Sequence, residues 1–246
     1  MKVRRKYDSL AGKKIVLLGG SSGLGLATAM MAAGEGAQVV LVSSNAKKIE
    51  AALKELPEGS TGYAADLSSE EEVKNIFSKT GKFDHLVFTA GESIRLIKLA
   101  DIEVAAAKKY FDLRYFGAIT AVRYGAPCIN PGGSIVLTSG IASPRPGPGW
   151  FLGASICAAI EGFTRTISIE LSPVRVNAVS PGVVRTNLWS GMSEADREGM
   201  YASVGGKLPV QRVGEAEDIA QAYLYCMKQS FMTGQILVTD GGTVLV

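Results

Sequence analysis

The sequence predicts a single α/β domain with a parallel sheet covered by helices on both faces. Three observations carry this. Short β-branched apolar runs alternate with longer helical stretches along the whole chain. Those runs are apolar at consecutive positions, which means that both faces of each strand are buried. The 246 residues, 47% of them hydrophobic and 20% charged, can bury one sizeable core. No linker, internal repeat or low-complexity segment divides them, so the domain is placed over residues 1–246. Strand alternating with helix requires right-handed crossovers, hence a doubly wound sheet of about seven strands.

The elements follow in order. Lys14 to Leu18 is the first strand, and Leu24 to Ala33 a helix closed by Gly34 and Gly36. Gln38 to Val42 is the second strand, followed by a helix capped at Asn45 and running through Leu56. Gly62 to Ala65 is the third strand and Ser69 to Ser78 the third helix. His85 to Thr89 is the fourth strand, and a long helical region spans Asp101 to Pro127. Ser134 to Thr138 is the fifth strand, and a helix after the Pro/Gly loop runs toward Leu171. Arg175 to Val179 and Gln235 to Val238 complete the sheet.

Composition excludes several classes of function. The net charge of +3 is small, and its densest part is Lys2, Arg4, Arg5 and Lys6. With no basic stripe and no interleaved aromatics, this is read as a solvated tail and not a nucleic-acid arm. No apolar run approaches the ~20 residues of a membrane span. The N-terminus shows no apolar secretory core. Cys128, Cys157 and Cys226 form no C-x-x-C pair, which fits reduced thiols in a cytoplasmic compartment. His85 is the only histidine and lies in an apolar run, so no metal site is expected.

The chemistry-bearing feature is Gly19-Gly20-Ser21-Ser22-Gly23-Leu24-Gly25, set between the first strand and first helix. Gly19 allows the tight turn, Gly23 the approach of a pyrophosphate and Gly25 close packing. The helix N-terminus then offers unpaired N–H groups to phosphate. Strand, loop and helix together make this a Rossmann-like dinucleotide site.

The Gly-x-x-x-Gly-x-Gly spacing resembles that of short-chain dehydrogenases/reductases. Further stretches resemble the same family in order: Asp66-Leu67, Thr89-Ala90-Gly91, Arg175 to Gly182, Gly234-Gln235 and Asp240-Gly241-Gly242. The resemblance implies that Asp66 and Leu67 face adenine. It implies that Ala90 and Gly91 line the cofactor, and that Pro181, Gly182, Val184 and Thr186 lead to the nicotinamide. It also implies a homodimer or homotetramer, built on helices around Tyr110–Tyr124 and Cys157–Leu171.

The end of the second strand bears on which nicotinamide cofactor binds. An Asp or Glu there would bond the ribose 2′-hydroxyl and select NAD(H). Ser43-Ser44-Asn45 stands there instead, with Lys47 and Lys48 just beyond. Nothing repels a 2′-phosphate, and NADP(H) is favoured. The Arg common in NADP-using relatives, expected at Ser44, is absent. The bland alternative is that Ser44 and Asn45 cap a helix and the lysines are solvated.

The family's catalytic residues are missing. The resemblance implies a Tyr acting as general acid and a Lys four residues on, supported by a Ser and an Asn. Here Leu152 and Ile156 take the Tyr and Lys positions and Arg114 takes that of the Asn. The Ser falls on Ser139 or Gly140. No tyrosine anywhere has a lysine four residues on. General acid–base help is worth ~10²–10⁴-fold, so a simple ketone would be a poor substrate. An iminium ion accepts hydride and ends neutral, with no oxygen to protonate.

Arg114 can orient an anion or carbonyl but cannot act as an acid at neutral pH. The alternative for it is an ion pair with Asp112 or Glu161. Pro144 to Trp150 forms a proline-restricted loop in which Trp150, with Phe151, either walls the substrate or packs. Arg145 is read as solvated, Cys157 as buried and His85 as structural. Asn187 to Lys207 carries Leu188, Trp189, Met192, Met200 and Tyr201, which suit a bulky apolar ligand or a packed amphipathic helix. Arg114 and the Arg-Pro-Gly-Pro loop resemble fungal indole-alkaloid members that couple iminium reduction to a cycloaddition. The expected function is therefore NADP(H)-dependent reduction of an imine, iminium or activated carbonyl. The alternatives are a silent NADP(H)-binding partner protein and a non-redox enzyme using the cofactor as a wall.

Overall fold

The computed structural model describes residues 9–94 and 96–246. The basic cluster Lys2, Arg4, Arg5 and Lys6 lies outside them. Seven strands form one parallel sheet: β1 (Lys14–Leu18), β2 (Gln38–Ser43), β3 (Thr61–Ala64), β4 (Phe83–Phe88), β5 (Ile129–Thr138), β6 (Arg175–Pro181) and β7 (Ile236–Thr239). Their spatial order is β3-β2-β1-β4-β5-β6-β7. The order reverses beside β1, and the carboxyl ends of β1 and β4 open a crevice there, the position where such sheets bind ligands.

Helices cover both faces. Helices α1 (Gly23–Gly34), α2 (Ala46–Leu53) and α8 (Ala216–Lys228) share a buried core with Ile15, Leu17, Leu41 and Val136. On the other face α3 (Glu70–Thr80), α5 (Gly117–Gly125) and α6 (Phe151–Glu170) pack on Val16, Leu18, Leu86 and Leu137. Successive strand residues thus feed opposite cores, as consecutive apolar positions require. No helix among the described residues is long and apolar enough to cross a membrane.

Several bounds depart from the sequence reading, β4 for one running from Phe83 to Phe88. β3 starts one residue earlier, at Thr61, and α2 stops at Leu53. β5 begins at Ile129, because that residue pairs with Phe83 ahead of a register shift. The stretch from Asp101 to Pro127 is broken: α4 (Val104–Phe111) passes through a π turn, Asp112–Phe116, before α5 begins. Such widened turns are frequent at functional sites, and this one carries Arg114.

His85 is structural. It is buried and bonds Ser134 Oγ at 2.8 Å. Burial, helped by the Arg175 charge, holds its pKa down to about 4.

Candidate active site

Two connected hollows open at the carboxyl edge of the sheet. The first is a polar cleft running from the glycine loop past the ends of β2 and β4, and it gathers most of the predicted cofactor residues. Gly19, Ser21, Ser22, Gly23 and Leu24 form its floor. Ser43, Ser44, Asn45 and Lys48 form one end, and Asp66, Leu67, Ala90 and Gly91 the side. Gly25 lies beneath it. A methyl group there would overlap the Gly19 carbonyl oxygen and sit 2.6 Å from Thr89 Oγ1.

The cleft fits a dinucleotide on its own features. Ser22, the N-cap of α1, makes no side-chain capping bond, and the first turn holds no acidic residue. Its N–H groups are left for an anion. Gly19 takes φ +93°, and a side chain there would strike Ala90 N at 2.5 Å. No carboxylate stands among Ser43, Ser44 and Asn45. Ser21 Oγ donates to Ser43 Oγ at 2.8 Å, and Asn45 caps α2 through Lys48 N at 3.0 Å. Asn45 therefore does cap the helix, while Lys48 is exposed on the cleft wall. Asp66 accepts from Ser68 N and Oγ at 2.9 and 2.7 Å, and these bonds hold its carboxyl below the usual range.

The second hollow is an apolar cavity of about 170 Å³ next to the first. Pro181, Gly182, Val184 and Thr186 line one side, and Ile94, Leu96, Ile141 and Leu188 the mouth. Trp150 and Trp189 meet edge to face above it, with ring centres 6.2 Å apart. Trp189 Nε1 is tied to Val184 O at 3.0 Å. Trp150 thus both lines the cavity and packs. Within Asn187 to Lys207 the two expectations divide. Leu188 and Trp189 face the cavity, whereas Met192, Met200 and Tyr201 form a small core behind them. Arg145 is exposed and is not part of the wall.

Arg114 reaches the cavity from the π turn. Its guanidinium lies over the Tyr110 ring, 5.3 Å from the centre, and donates to the Glu92 carbonyl oxygen. Its Nε lies 3.4 Å from Glu92 Oε2. The ion-pair partner is therefore Glu92, not Asp112 or Glu161. The π turn swings the side chain back toward the β4 loop, where it fills the space over Gly91.

Helix α6 requires a correction. Leu152 is not on the cavity wall. It is 3% exposed and sits in the core with Ile156 and Ile160. Apolar residues at four-residue spacing form the stripe that a helix turns inward. The next residue round, about 100° away, faces the hollow. Gly153 and Cys157 are the pair four apart that line the cavity, with the buried Ile156 between them on the same lining. The Gly153 face is open, with nothing within 4 Å of an added Cβ. The Cys157 thiol is pushed up to about 11 by burial. Ser139 lines the same wall, and its Oγ donates toward Cys157 O at 3.2 Å and Glu161 Oε1 at 3.0 Å. Glu161 also pairs with Arg165, Oε2 to Nη2 3.7 Å. Sequence reasoning missed Glu161 in this place. The signal was available: Gly153, Cys157 and Glu161 follow at four-residue spacing beside the apolar stripe.

Comparison with known proteins settles the lineage. A family model described as enoyl-(acyl carrier protein) reductase matches residues 19–244. The short-chain dehydrogenase/reductase fsr5 of Gibberella fujikuroi is 32% identical over 259 aligned positions, covering 98% of each chain. The chain belongs to the short-chain dehydrogenase/reductase family. Among solved members of this family, a small-chain dehydrogenase in complex with NADPH shares 37% identity at TM-score 0.81, covering 96% of this chain and 100% of its own. The MalC reductase/Diels-Alderase of Malbranchea aurantiaca superimposes at TM-score 0.91 with 29% identity, covering 98% and 100%. In the present chain the wall of α6 beside Ser139 presents a glycine and a thiol, Gly153 and Cys157.

Proposed function

We propose that this protein is an NADPH-dependent reductase acting on an acceptor that is already electrophilic: an iminium ion, an imine or an activated carbonyl on a bulky apolar molecule. The observation that carries the reading is a well-formed dinucleotide cleft beside a cavity whose α6 wall holds no Tyr–Lys acid pair. The NADPH-bound relative supports the choice of cofactor. So do the hydroxyls of Ser43 and Ser44, the exposed Lys48 and the lack of a carboxylate at the end of β2.

The glycine loop and α1 N-terminus would hold the pyrophosphate, Asp66 and Leu67 the adenine, and Val184 and Thr186 the carboxamide. When bound, the reduced nicotinamide supplies a hydride. The protein's own residues orient the acceptor and exclude water. Trp150, Trp189, Ile94 and Leu188 enclose its apolar body. Arg114, held by Glu92 and Tyr110, directs a positive charge at a polar group of the substrate. A ketone needs a proton as hydride arrives, and a guanidinium cannot give one. An iminium needs none. The likeness to a reductase/Diels-Alderase supports a coupled cycloaddition, with the aromatic walls shaping a folded substrate. The groove between α5 and α6, lined by Ile119, Val122, Phe163 and Ile167, supports a homodimer or homotetramer. The free cysteines suit a cytoplasmic setting.

The test is calorimetric titration with NADPH and NADH, followed by NADPH oxidation with cyclic iminium compounds and simple ketones. NADPH preference with turnover of the iminium set alone supports the reading. Binding without turnover of either set points to a partner protein or a non-redox role.

A further inference from the structure

We infer that Glu161 and Ser139 form a proton relay from the surface of α6 into the cavity, and that this relay supplies the proton when the acceptor requires one. The inference rests on the reductase reading above and concerns the source of the proton, which that reading leaves open.

The protic groups on the cavity wall narrow the choice. The Arg114 guanidinium keeps its proton at neutral pH. The Cys157 thiol is pushed up to about 11. Thr138 Oγ1 is 2.5 Å from Phe88 O and 2.6 Å from the buried Tyr223 hydroxyl, and Thr89 Oγ1 is 3.3 Å from Gly19 O, so neither contacts a carboxylate. Trp189 Nε1 is spent on Val184 O. Ser139 Oγ also reaches a backbone carbonyl, Cys157 O at 3.2 Å, but it alone of these hydroxyls contacts a carboxylate, Glu161 Oε1 at 3.0 Å.

The carboxylate also has a route outward. Its side chain is 14% exposed, and the Arg165 guanidinium beside it is 59% exposed. Glu161 thus touches both partly exposed Arg165 and the cavity-lining Ser139. The bonds balance simply. The acceptor carbon gains a hydride from the reduced dinucleotide, and its oxygen or nitrogen takes the Ser139 hydroxyl proton. Glu161 passes a proton taken from solvent to Ser139 Oγ and is itself left unchanged over the cycle. Ser139 ends unchanged. For an N-alkylated iminium only the hydride moves, and the relay stands idle.

The test compares an activated ketone, such as a 1,2-diketone, with an N-alkylated cyclic iminium, using NADPH and the full chain. Glu161→Gln keeps an acceptor for Ser139 but cannot carry a proton. It is expected to lower kcat on the diketone by about a hundred-fold or more, with KM and the NADPH dissociation constant little changed. The iminium rate is expected to fall less than about five-fold. Wild-type diketone turnover should show a solvent deuterium isotope effect on kcat that the iminium reaction lacks. Glu161→Asp should restore part of the diketone rate, and Ser139→Ala should match Glu161→Gln. Equal losses on both substrates, no loss on either, or a diketone reaction without a solvent isotope effect would overturn the relay and leave the reductase reading intact. So would a selective diketone loss confined to Tyr110→Phe, the tyrosine on the cavity wall. Wild-type protein that turns over neither substrate sinks both readings.

Discussion

The position that faces the cavity on α6 can be tested by building a tyrosine at two adjacent sites. Leu152 is 3% exposed and packed among core side chains. Leu152→Tyr enlarges the side chain, at ~1–3 kcal/mol for overpacking. It also buries a hydroxyl with no partner, at a further ~1–3 kcal/mol. Together these predict a loss of ~2–6 kcal/mol. Gly153 lines the cavity and has nothing within 4 Å of an added Cβ, so Gly153→Tyr enters open space at Cβ and is expected to cost less. It gains ~0.5 kcal/mol of helix propensity instead. Urea unfolding followed by tryptophan fluorescence, compared at equal m-values, measures the difference. The companion variant Gly153→Tyr/Cys157→Lys places an acid and its helper on the open wall. It should raise simple-ketone reduction by ~10²–10⁴-fold. If Leu152→Tyr keeps full stability while Gly153→Tyr unfolds, or if Leu152→Tyr/Ile156→Lys gains the ketone activity, the assignment of the helix face is wrong.

Other consequences follow from the cofactor cleft and the core. Gly25→Ala should weaken NADPH at least about ten-fold by calorimetry, since its methyl would overlap the Gly19 carbonyl and press on Thr89 Oγ1 at 2.6 Å. Ser44→Asp places a carboxylate beside the expected 2′-phosphate. At ~1–3 kcal/mol of repulsion, NADPH affinity should fall about ten- to hundred-fold while NADH affinity holds, and an equal fall for both would count against NADPH selection at this end. His85 is neutral and buried with its pKa held down to about 4 from an ordinary 6.5. The unfolded chain binds the extra proton first, so stability is full above about pH 6.5 and is lost as pH falls toward 4, by ~3 kcal/mol. Urea midpoints across that window should drop for wild type and flatten for His85→Gln.

Much of this was legible in the chain itself. Consecutive apolar runs, such as Ile15 to Leu18, announced strands buried on both faces, and Gly19 to Gly25 announced the phosphate turn. Both depend on local chemistry. What the sequence hid depends on side-chain direction and on contacts between distant segments. Matching a motif by spacing set Leu152 at the acid position, yet the apolar stripe Leu152-Ile156-Ile160 decides how α6 rotates, and the stripe follows the core. Arg114 was placed correctly on the long helix, but its partner was not. The π turn that aims it at Glu92 has no composition of its own. Glu161 reads as an ordinary helix-surface charge until β5 brings Ser139 beside it.

The central claim is that hydride passes from bound NADPH to an electrophilic carbon beside an α6 wall without a Tyr–Lys acid pair. The most direct measurement is deuterium transfer from NADPH labelled at nicotinamide C4 to a cyclic N-alkylated iminium, read by mass spectrometry of the product. One deuterium on the former iminium carbon, with the label coming from a single face of the nicotinamide, is the predicted result. Product without label, or NADPH bound and never oxidised, would contradict it.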